Sequence, residues 1–232
     1  MNKTGIGWTD YTWNPVTGCS KISQGCKFCY AEAWSKRWKL SFEPAFHEER
    51  LKDARKIPSG SKVFVNSMSD LFHEKIMLTD INAVFNEIRN RGDVIFQILT
   101  KRPERVVEYT ETYRHLPYNA WIGVSVESAG YKWRIDTLRK VNATNRFVSF
   151  EPLIGDVEDL DLSRIKWAII GGESGPHHRP MDLEWARNIV RQAKEQGVAV
   201  WMKQLGGLSP GGELEDFPED LRIREFPKEA LK

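Results

Sequence analysis

The sequence contains only three cysteines, and all of them lie between residues 19 and 29. The odd count and the lack of a recognisable signal peptide make disulfide bonds the least expected use of these thiols. No apolar run approaches the roughly 20 residues that a membrane-spanning helix needs. The net charge is only +2, from 34 basic and 32 acidic residues, so the chain as a whole lacks a strongly basic footprint. We therefore expect a cytoplasmic protein with no membrane contact.

The remaining composition is that of a globular enzyme. The chain has 232 residues, of which 41% are hydrophobic and 28% are charged, and both fractions are ordinary for a folded domain. This length allows one compact domain with a sizeable core. Nine tryptophans are many for such a chain, and we expect most of them to anchor the core and helix faces.

The three cysteines lie in the stretch Trp13–Tyr30, which reads WNPVTGCSKISQGCKFCY. Cys19, Cys26 and Cys29 follow the spacing C-x6-C-x2-C, and glycines and a serine between them permit tight turns. Three thiolates can therefore converge on one metal centre. A closed zinc site takes about four protein ligands, and common iron–sulfur proteins supply about four thiolates per cubane. Three thiolates alone predict a cluster with one open iron that can hold a small molecule.

Other uses of the cysteines remain open at this point. They could be buried apolar residues or a redox pair with a spare thiol. They could also bind zinc with a histidine as the fourth ligand, although no histidine lies at a zinc-finger spacing from Cys29. The candidate histidines are His47, His73, His115, His177 and His178.

The segment Cys26–Cys29, with Phe28 before its second cysteine, resembles the C-x-aromatic-C half of the radical S-adenosylmethionine (SAM) signature. In that superfamily three cysteines hold a [4Fe-4S] cluster, and SAM chelates the unique iron. The usual spacing is C-x3-C-x2-C, so the first gap here is longer. The string TWNPVTGC…GC..CYAE also resembles a phage-associated set of three-Cys-motif proteins.

Short apolar runs alternate with amphipathic segments along the chain, which predicts a parallel sheet covered by helices. We expect an α/β fold of the partial or distorted (β/α) TIM-type barrel class, with about six to seven parallel strands in a single domain. The barrel should span residues 1–207, with a cluster loop at 18–30 and a C-terminal tail, 208–232, packed on it. The predicted strands are Tyr11–Pro15, Val63–Val65, Val94–Leu99, Trp121–Val126, Phe147–Phe150, Trp167–Ile170 and Val198–Met202. The predicted helices are Tyr30–Leu40, Glu48–Lys56, Asp80–Arg91, Pro103–Tyr113, Tyr131–Val141 and Asp182–Gln196.

Polar, titratable or glycine residues follow the predicted strands after the first. Barrel enzymes place their chemistry at the carboxyl ends of strands, so these residues should face a ligand or water. From the resemblance, Phe28 and Tyr30 would flank the cluster and the adenine. The other residues expected to bind SAM are Ser67, Ser69, Asp70, Lys101, Ser125, Glu127, Gly171 and Gly172. The expected catalytic residues are Glu151, Glu173 and Lys203. For each of these residues, loop capping or a surface ion pair remains the alternative.

The resemblance implies a radical SAM enzyme that cleaves SAM reductively to methionine and a 5′-deoxyadenosyl radical, with an electron donor such as flavodoxin or ferredoxin. Basic residues at the strand ends favour an anionic substrate, such as a nucleotide or a nucleic-acid strand. Trp8 and Trp13 could then stack on a base. Two further classes stay open, namely a non-catalytic zinc or iron–sulfur protein and a DNA- or partner-binding barrel.

Overall fold

Seven strands run parallel in the computed structural model, which describes residues 1–209 and 211–228. Each corresponds to one of the predicted apolar runs. The strands of the described residues are, in chain order, β1 (Asn2–Lys3), β2 (Tyr11–Trp13), β3 (Val16–Thr17), β4 (Ala45–Phe46), β5 (Lys62–Val65), β6 (Ile95–Thr100), β7 (Ala120–Ser125), β8 (Asn145–Phe150), β9 (Trp167–Gly171) and β10 (Ala199–Gln204).

The main sheet has eight strands in the order β1-β2-β5-β6-β7-β8-β9-β10. β1 pairs antiparallel with β2 at one edge, and β10 forms the other edge. β3 and β4 form a separate antiparallel pair. The predicted α/β class and its parallel strands are confirmed, whereas closure of this sheet into a barrel stays a prediction. Since the parallel strands end at one edge, the segments that follow them come together there.

Five α-helices connect the strands of the described residues. They are α1 (Tyr30–Arg37), α2 (Leu78–Arg89), α3 (Pro103–Tyr113), α4 (Trp133–Lys140) and α5 (Leu183–Glu195). Pro103 begins α3 as predicted, because a proline at the first helical position loses no helical hydrogen bond. Residues Glu48–Lys56 form a 3₁₀ helix. Among the helices of the described residues, none combines the length and the apolar character that crossing a bilayer requires.

Successive side chains of each parallel strand enter different hydrophobic clusters, because they point to opposite faces of the sheet. Val65, Ile98 and Val124 belong to the larger cluster, which also includes the inner faces of the helices. Phe64 and Trp121 point the other way and join a smaller cluster on the opposite face. This burial of both faces explains why the strands read as near-continuous apolar runs.

The smaller cluster, which we call the aromatic floor, is centred on Trp167. Its fully buried ring lies 6.0 Å from the ring of Trp8 and 5.8 Å from that of Phe147. Near the other end of the chain, Phe226 lies 5.3 Å from Trp167. Gly123 is required beside this floor, because a Cβ there would lie 2.3 Å from the Phe147 ring. The full membership is Trp8, Phe64, Trp121, Phe147, Trp167, Ile169 and Trp201.

One expectation about tryptophans is wrong. Trp8 and Trp13 are 2% and 0% exposed, so neither can stack on a base. By contrast, Trp34 and Trp38 on the face of α1 are 49% and 60% exposed.

The predicted C-terminal tail contributes to the main core through Phe217 and Leu221. It also accepts a hydrogen bond at the Glu225 carbonyl from Nε1 of Trp167, over 2.8 Å. Residues 210 and 229–232 of that tail lie outside the described residues. The boundary drawn at residue 207 stays a prediction.

Candidate functional site

The cysteine loop, residues 18–30, lies across the carboxyl edge of the main sheet. It contacts the segments that follow β5, β6, β7 and β9, which lie at that edge. The contacts run from Gly18 to Ser69, from Ser20 to His73 and Arg102, from Ser23 to Glu127, and from Gln24 to Tyr131 and Arg179. The predicted loop therefore sits where barrel enzymes carry their chemistry.

The turn into the first cysteine depends on glycine. Gly18 has a φ of +76°, which L-residues with a side chain rarely adopt. A Cβ at this position would also lie 2.2 Å from the carbonyl oxygen of Glu43. The chain can therefore bring Cys19 to the sheet edge only with glycine before it.

Arg102 holds the first cysteine in place. This buried guanidinium lies 3.6 Å from Sγ of Cys19 and donates to Asp70 over 3.0 Å and to Glu74 over 2.7 Å. Burial, followed by the charge of Asp70, raises the pKa of the Cys19 thiol to about 11, although Arg102 acts in the opposite direction. Coordination to a metal would remove that proton, since a bound cation deprotonates a thiol outright.

The second cysteine has a different electrostatic environment. Sγ of Cys26 lies 3.4 Å from the Ser23 hydroxyl. Burial raises the pKa of the Cys26 thiol, but the positive charge of Lys101 and the hydrogen bond between Cys26 and Ser23 outweigh it, so the net pKa is lowered. All three cysteines are free and half-buried. The thiols are therefore accessible at the edge of the sheet.

Glu127 joins the cysteine loop to the end of β7. Its fully buried carboxylate accepts hydrogen bonds from the Ser23 hydroxyl over 2.5 Å and from Arg134 over 2.9 Å. The ammonium of Lys101 lies 3.4 Å away. A Cβ on Gly25 would come within 2.6 Å of this carboxylate, so the loop packs directly on it. The contact between Glu127 and a ribose stays a prediction. Both carboxylate oxygens of Glu127 already have protein partners.

Arg134 is a site residue that the sequence did not reveal. Arg134 is the second residue of α4. A basic residue on a helix usually faces solvent, yet only 2% of this side chain is exposed. Its burial is explained by its partners, because the guanidinium donates to the Glu127 carboxylate, seven residues away, and to the Ser125 carbonyl over 2.8 Å. The sequence offered one signal for this pair, which was the carboxylate of Glu127 directly after an apolar strand.

Groups of the protein itself occupy the hydrogen-bonding positions of the Asp70 carboxylate. It accepts hydrogen bonds from the Phe72 amide, the Thr100 hydroxyl, the Lys101 amide and the Arg102 guanidinium. These four bonds match the roughly four lone-pair sites that a carboxylate offers. Asp70 is also 5% exposed. Its predicted contact with the SAM ammonium stays a prediction, and the geometry gives it the role of linking β5 to β6.

The other predicted residues after β5 also bind groups of the protein itself. Ser69 donates to the Val16 carbonyl over 2.8 Å. Ser67 donates to Oδ1 of Asn14 over 3.3 Å, and its own carbonyl accepts a hydrogen bond from the Tyr30 hydroxyl. These contacts hold the start and end of the cysteine loop against β5.

The Glu151–Lys203 ion pair lies at the carboxyl edge of the main sheet, on the face that carries the aromatic floor. Both side chains are half-buried, with 21% of Glu151 and 18% of Lys203 exposed. Gly171 lies beside them, because a Cβ there would be 3.3 Å from the Glu151 carboxyl carbon. Ser125 is paired in register with Ser149. This arrangement offers an acid, a base and two hydroxyls above an apolar surface.

The loop after β9 packs over the cysteine loop. Glu173 is 4% exposed and binds Arg179 through Nε at 2.8 Å and Nη2 at 2.5 Å. The same guanidinium donates to the Gln24 carbonyl over 3.1 Å and lies 5.4 Å from the ring centroid of Phe28. Gly172 faces away from this contact, since a Cβ there would meet the Leu205 carbonyl at 2.3 Å. Glu173 therefore positions Arg179 and, through it, the loop.

The sequence predicted that the three thiols converge on one metal centre, and the described residues do not show that convergence. Among the described residues, no three His, Cys, Asp or Glu side chains are placed to hold one metal ion. A zinc site needs ligand sulfurs at about 2.3 Å from one centre. In an iron–sulfur cluster the thiolates of the protein bind the irons of one larger body, so they can lie further apart. Three half-buried thiols on one loop have the chemistry that such a cluster takes.

A family model described as a protein of unknown function (DUF5131) matches residues 3–222. No curated protein matches the chain.

Among solved structures, the chain is similar to variants of spore photoproduct lyase. One, with bound AdoMet and dinucleoside spore photoproduct, has 12% identity and a TM-score of 0.51. A second substituted variant has 13% identity and a TM-score of 0.52. Each match covers 84% of this chain and 63% of the lyase chain. This likeness shows a shared fold, and the chain spans less than two thirds of the lyase's length.

Proposed function

We propose a function for this chain from the premise that it belongs to the DUF5131 family of proteins. It is an enzyme of the radical SAM type, built on a partial (β/α) barrel, that binds a [4Fe-4S] cluster and SAM. The observation that carries the proposal is the position of three free cysteines on one loop across the carboxyl edge of a parallel sheet. The fold shared with spore photoproduct lyase, a radical SAM enzyme, supports it.

Cys19, Cys26 and Cys29 would hold the cluster. When bound, the cluster supplies the electron for reductive cleavage of SAM. Arg102 orients Cys19, and Ser23 fixes the turn before Cys26 through its bond to Glu127. These contacts set the position of the loop before any cofactor binds.

The face above the aromatic floor would hold SAM and substrate. Ser125 and Gly171 lie at the ends of β7 and β9, where both residues are buried beside the proposed site. Lys203 and Glu151 form a pair that can orient a polar group and move a proton between them. The apolar floor beneath excludes water from this region, which strengthens each of these polar contacts. Phe28 and Tyr30 remain our candidates for contacts with the adenine and the cluster.

An anionic substrate and a small redox protein as electron donor complete the proposal. Lys101, Arg102 and Arg179 lie at the carboxyl edge and give it positive charge. Glu127, Asp70 and Glu173 neutralise much of that charge, however. The net positive charge that this edge offers to an anionic substrate is therefore small.

The test is anaerobic purification and reconstitution, followed by iron, sulfide and zinc analysis. We expect about four irons per chain in the intact protein and loss of most of that iron in Cys26→Ala. Ser163→Ala, at an exposed loop position, is the matched control and should keep the iron. Dithionite and SAM should then yield 5′-deoxyadenosine, detected by mass spectrometry. Stoichiometric zinc without iron would contradict the cluster, and an iron-loaded protein that never cleaves SAM would contradict the enzyme.

A further inference from the structure

An exposed aromatic stripe runs along α1, directly after the last cysteine. Tyr30, Trp34 and Trp38 recur every four residues, and 55%, 49% and 60% of their surfaces are exposed. The opposite side of α1 packs inward through Ala31 and Ser35. Large aromatic side chains normally bury their surface, so a row of three in solvent marks a surface that binds something.

The stripe lies in a basic part of the chain. Residues 21–40 contain five basic residues and one acidic residue, a net charge of +4, whereas the whole chain carries +2. The single acid, Glu32, pairs with Lys21 and Lys36, at 2.8 Å in each case. Arg37 and Lys39 are exposed at the end of the helix and are not paired with it. The surface therefore has an excess of positive charge beside its aromatic rings.

This composition distinguishes between two kinds of partner. The centres of protein–protein interfaces are rich in aromatic residues but depleted in lysine. Surfaces for single-stranded nucleic acid combine aromatic rings that stack on bases with basic side chains that follow the phosphates. Because basic residues here are interleaved with the rings, the second description fits.

The spacing of the rings fits a strand whose bases are spread apart. Four residues of helix advance about 6 Å, which is nearly twice the roughly 3.4 Å between stacked bases of a duplex. The rings of Trp34 and Trp38 lie 6.2 Å apart and are tilted by 50°, so they are not stacked on each other. Each ring is thus free to take a base of its own.

We propose that this surface, formed by Trp34, Trp38, Arg37 and Lys39, binds single-stranded nucleic acid. Since α1 begins at the residue after Cys29, a strand bound there passes next to the cysteine loop. The inference does not depend on the cluster or on SAM. It concerns a helix face outside the strand ends that form the proposed site.

The test measures binding of a fluorescein-labelled oligodeoxythymidylate of about 20 nucleotides, a length that spans the site sizes of single-strand binding domains. Fluorescence anisotropy is recorded with the full chain, without SAM, at about 50 and 200 mM salt. The Trp34→Ala/Trp38→Ala double variant should bind at least about tenfold more weakly. Its melting temperature should stay close to that of the wild type, because both rings are exposed. Tyr118→Ala, which removes a 67% exposed ring elsewhere, should bind as the wild type does.

The contribution of positive charge to binding is measured separately, through the salt dependence of Kd. Arg37→Gln/Lys39→Gln should reduce the slope of log Kd against log salt by about 1.4, since each phosphate contact on a single strand contributes about 0.7. Lys140→Gln, an exposed lysine at the end of α4, should leave that slope unchanged.

Wild-type affinity in the double tryptophan variant would overturn the proposal, as would binding that salt does not weaken. Self-association through the tryptophans, without oligonucleotide binding, would assign the stripe to a second copy and overturn it equally. Cys26→Ala should bind the oligonucleotide as the wild type does. A failure in this assay therefore leaves the iron and 5′-deoxyadenosine tests of the proposed function untouched.

Discussion

The Ser23 hydroxyl donates a hydrogen bond to the Glu127 carboxylate over 2.5 Å, which joins two segments that are 104 residues apart. On its other side the carboxylate pairs with Arg134. The loop that carries the cysteines is therefore fixed to an ion pair in the protein interior. Substitutions in that pair should alter both the stability of the fold and the position of the loop.

Glu127→Gln should strongly destabilise the protein. The substitution leaves the Arg134 guanidinium, 2% exposed, without its carboxylate. Loss of one partner from a buried pair typically costs about 3–5 kcal/mol, and urea denaturation measures the change in the free energy of unfolding. Glu195→Gln, which breaks the exposed Arg191–Glu195 pair, is the control and should change it by less than about 1 kcal/mol. Equal effects of the two substitutions would contradict this account of the pair.

Gly25→Ala should disturb the cysteine loop more than the fold. The new Cβ would lie 2.6 Å from the Glu127 carboxylate, so either the loop or that carboxylate must move. We expect reduced iron content after reconstitution. Gly130→Ala is the matched control, because nothing lies within 4 Å of its Cβ position. Full iron loading in Gly25→Ala would show that the cysteines tolerate a displaced loop.

Gly123→Ala should destabilise the sheet through the aromatic floor. Its Cβ would lie 2.3 Å from the Phe147 ring, which is fully buried and cannot move outward. Overpacking of this kind costs about 1–3 kcal/mol, again measured by urea denaturation. Phe147→Leu in the same chain should recover part of the loss by making room for the methyl group. If the double variant is instead the sum of the two single variants, the clash is not the cause.

The Arg91–Asp93 pair predicts a small loss of stability in acid. Hydrogen bonds from Arg91 come first among the causes that lower the pKa of the Asp93 carboxyl from 3.8 to about 2. Because the folded pKa is the lower one, the pair stabilises the protein above about pH 4, and that contribution is lost as the pH falls to about 2. Asp93 is 41% exposed, so we expect at most about 1 kcal/mol. Asp93→Asn should remove this share of the pH dependence. Unchanged acid profiles in the two proteins would contradict it.

The sequence predicted the parallel strands well because each is a short apolar run with both faces buried. β7 and β8 show this most clearly, since every residue in them is buried. β1, β3 and β4 escaped prediction because they have two residues each and no pattern to detect. The four-residue spacing of Tyr30, Trp34 and Trp38 is visible in the sequence, but a spacing does not reveal whether a helix face is covered.

The candidate site was predictable in position but not in its pairings. Residues after β7, β8 and β10 do reach one edge, because parallel strands end together. Which acid binds which base depends on the packing of distant segments. Glu127 with Arg134 and Asp70 with Arg102 are buried pairs whose partners lie on other elements. No local pattern encodes such a choice, so both acids were predicted as ligand contacts.

The aromatic floor is completed from both ends of the chain, by Trp8 and by Phe226 against the ring of Trp167. A ribosome therefore releases Phe226 long after it has released Trp8. Until then the nascent polypeptide presents unfinished indole surfaces to its surroundings, and a chaperone that shields them during translation should raise the yield of folded protein.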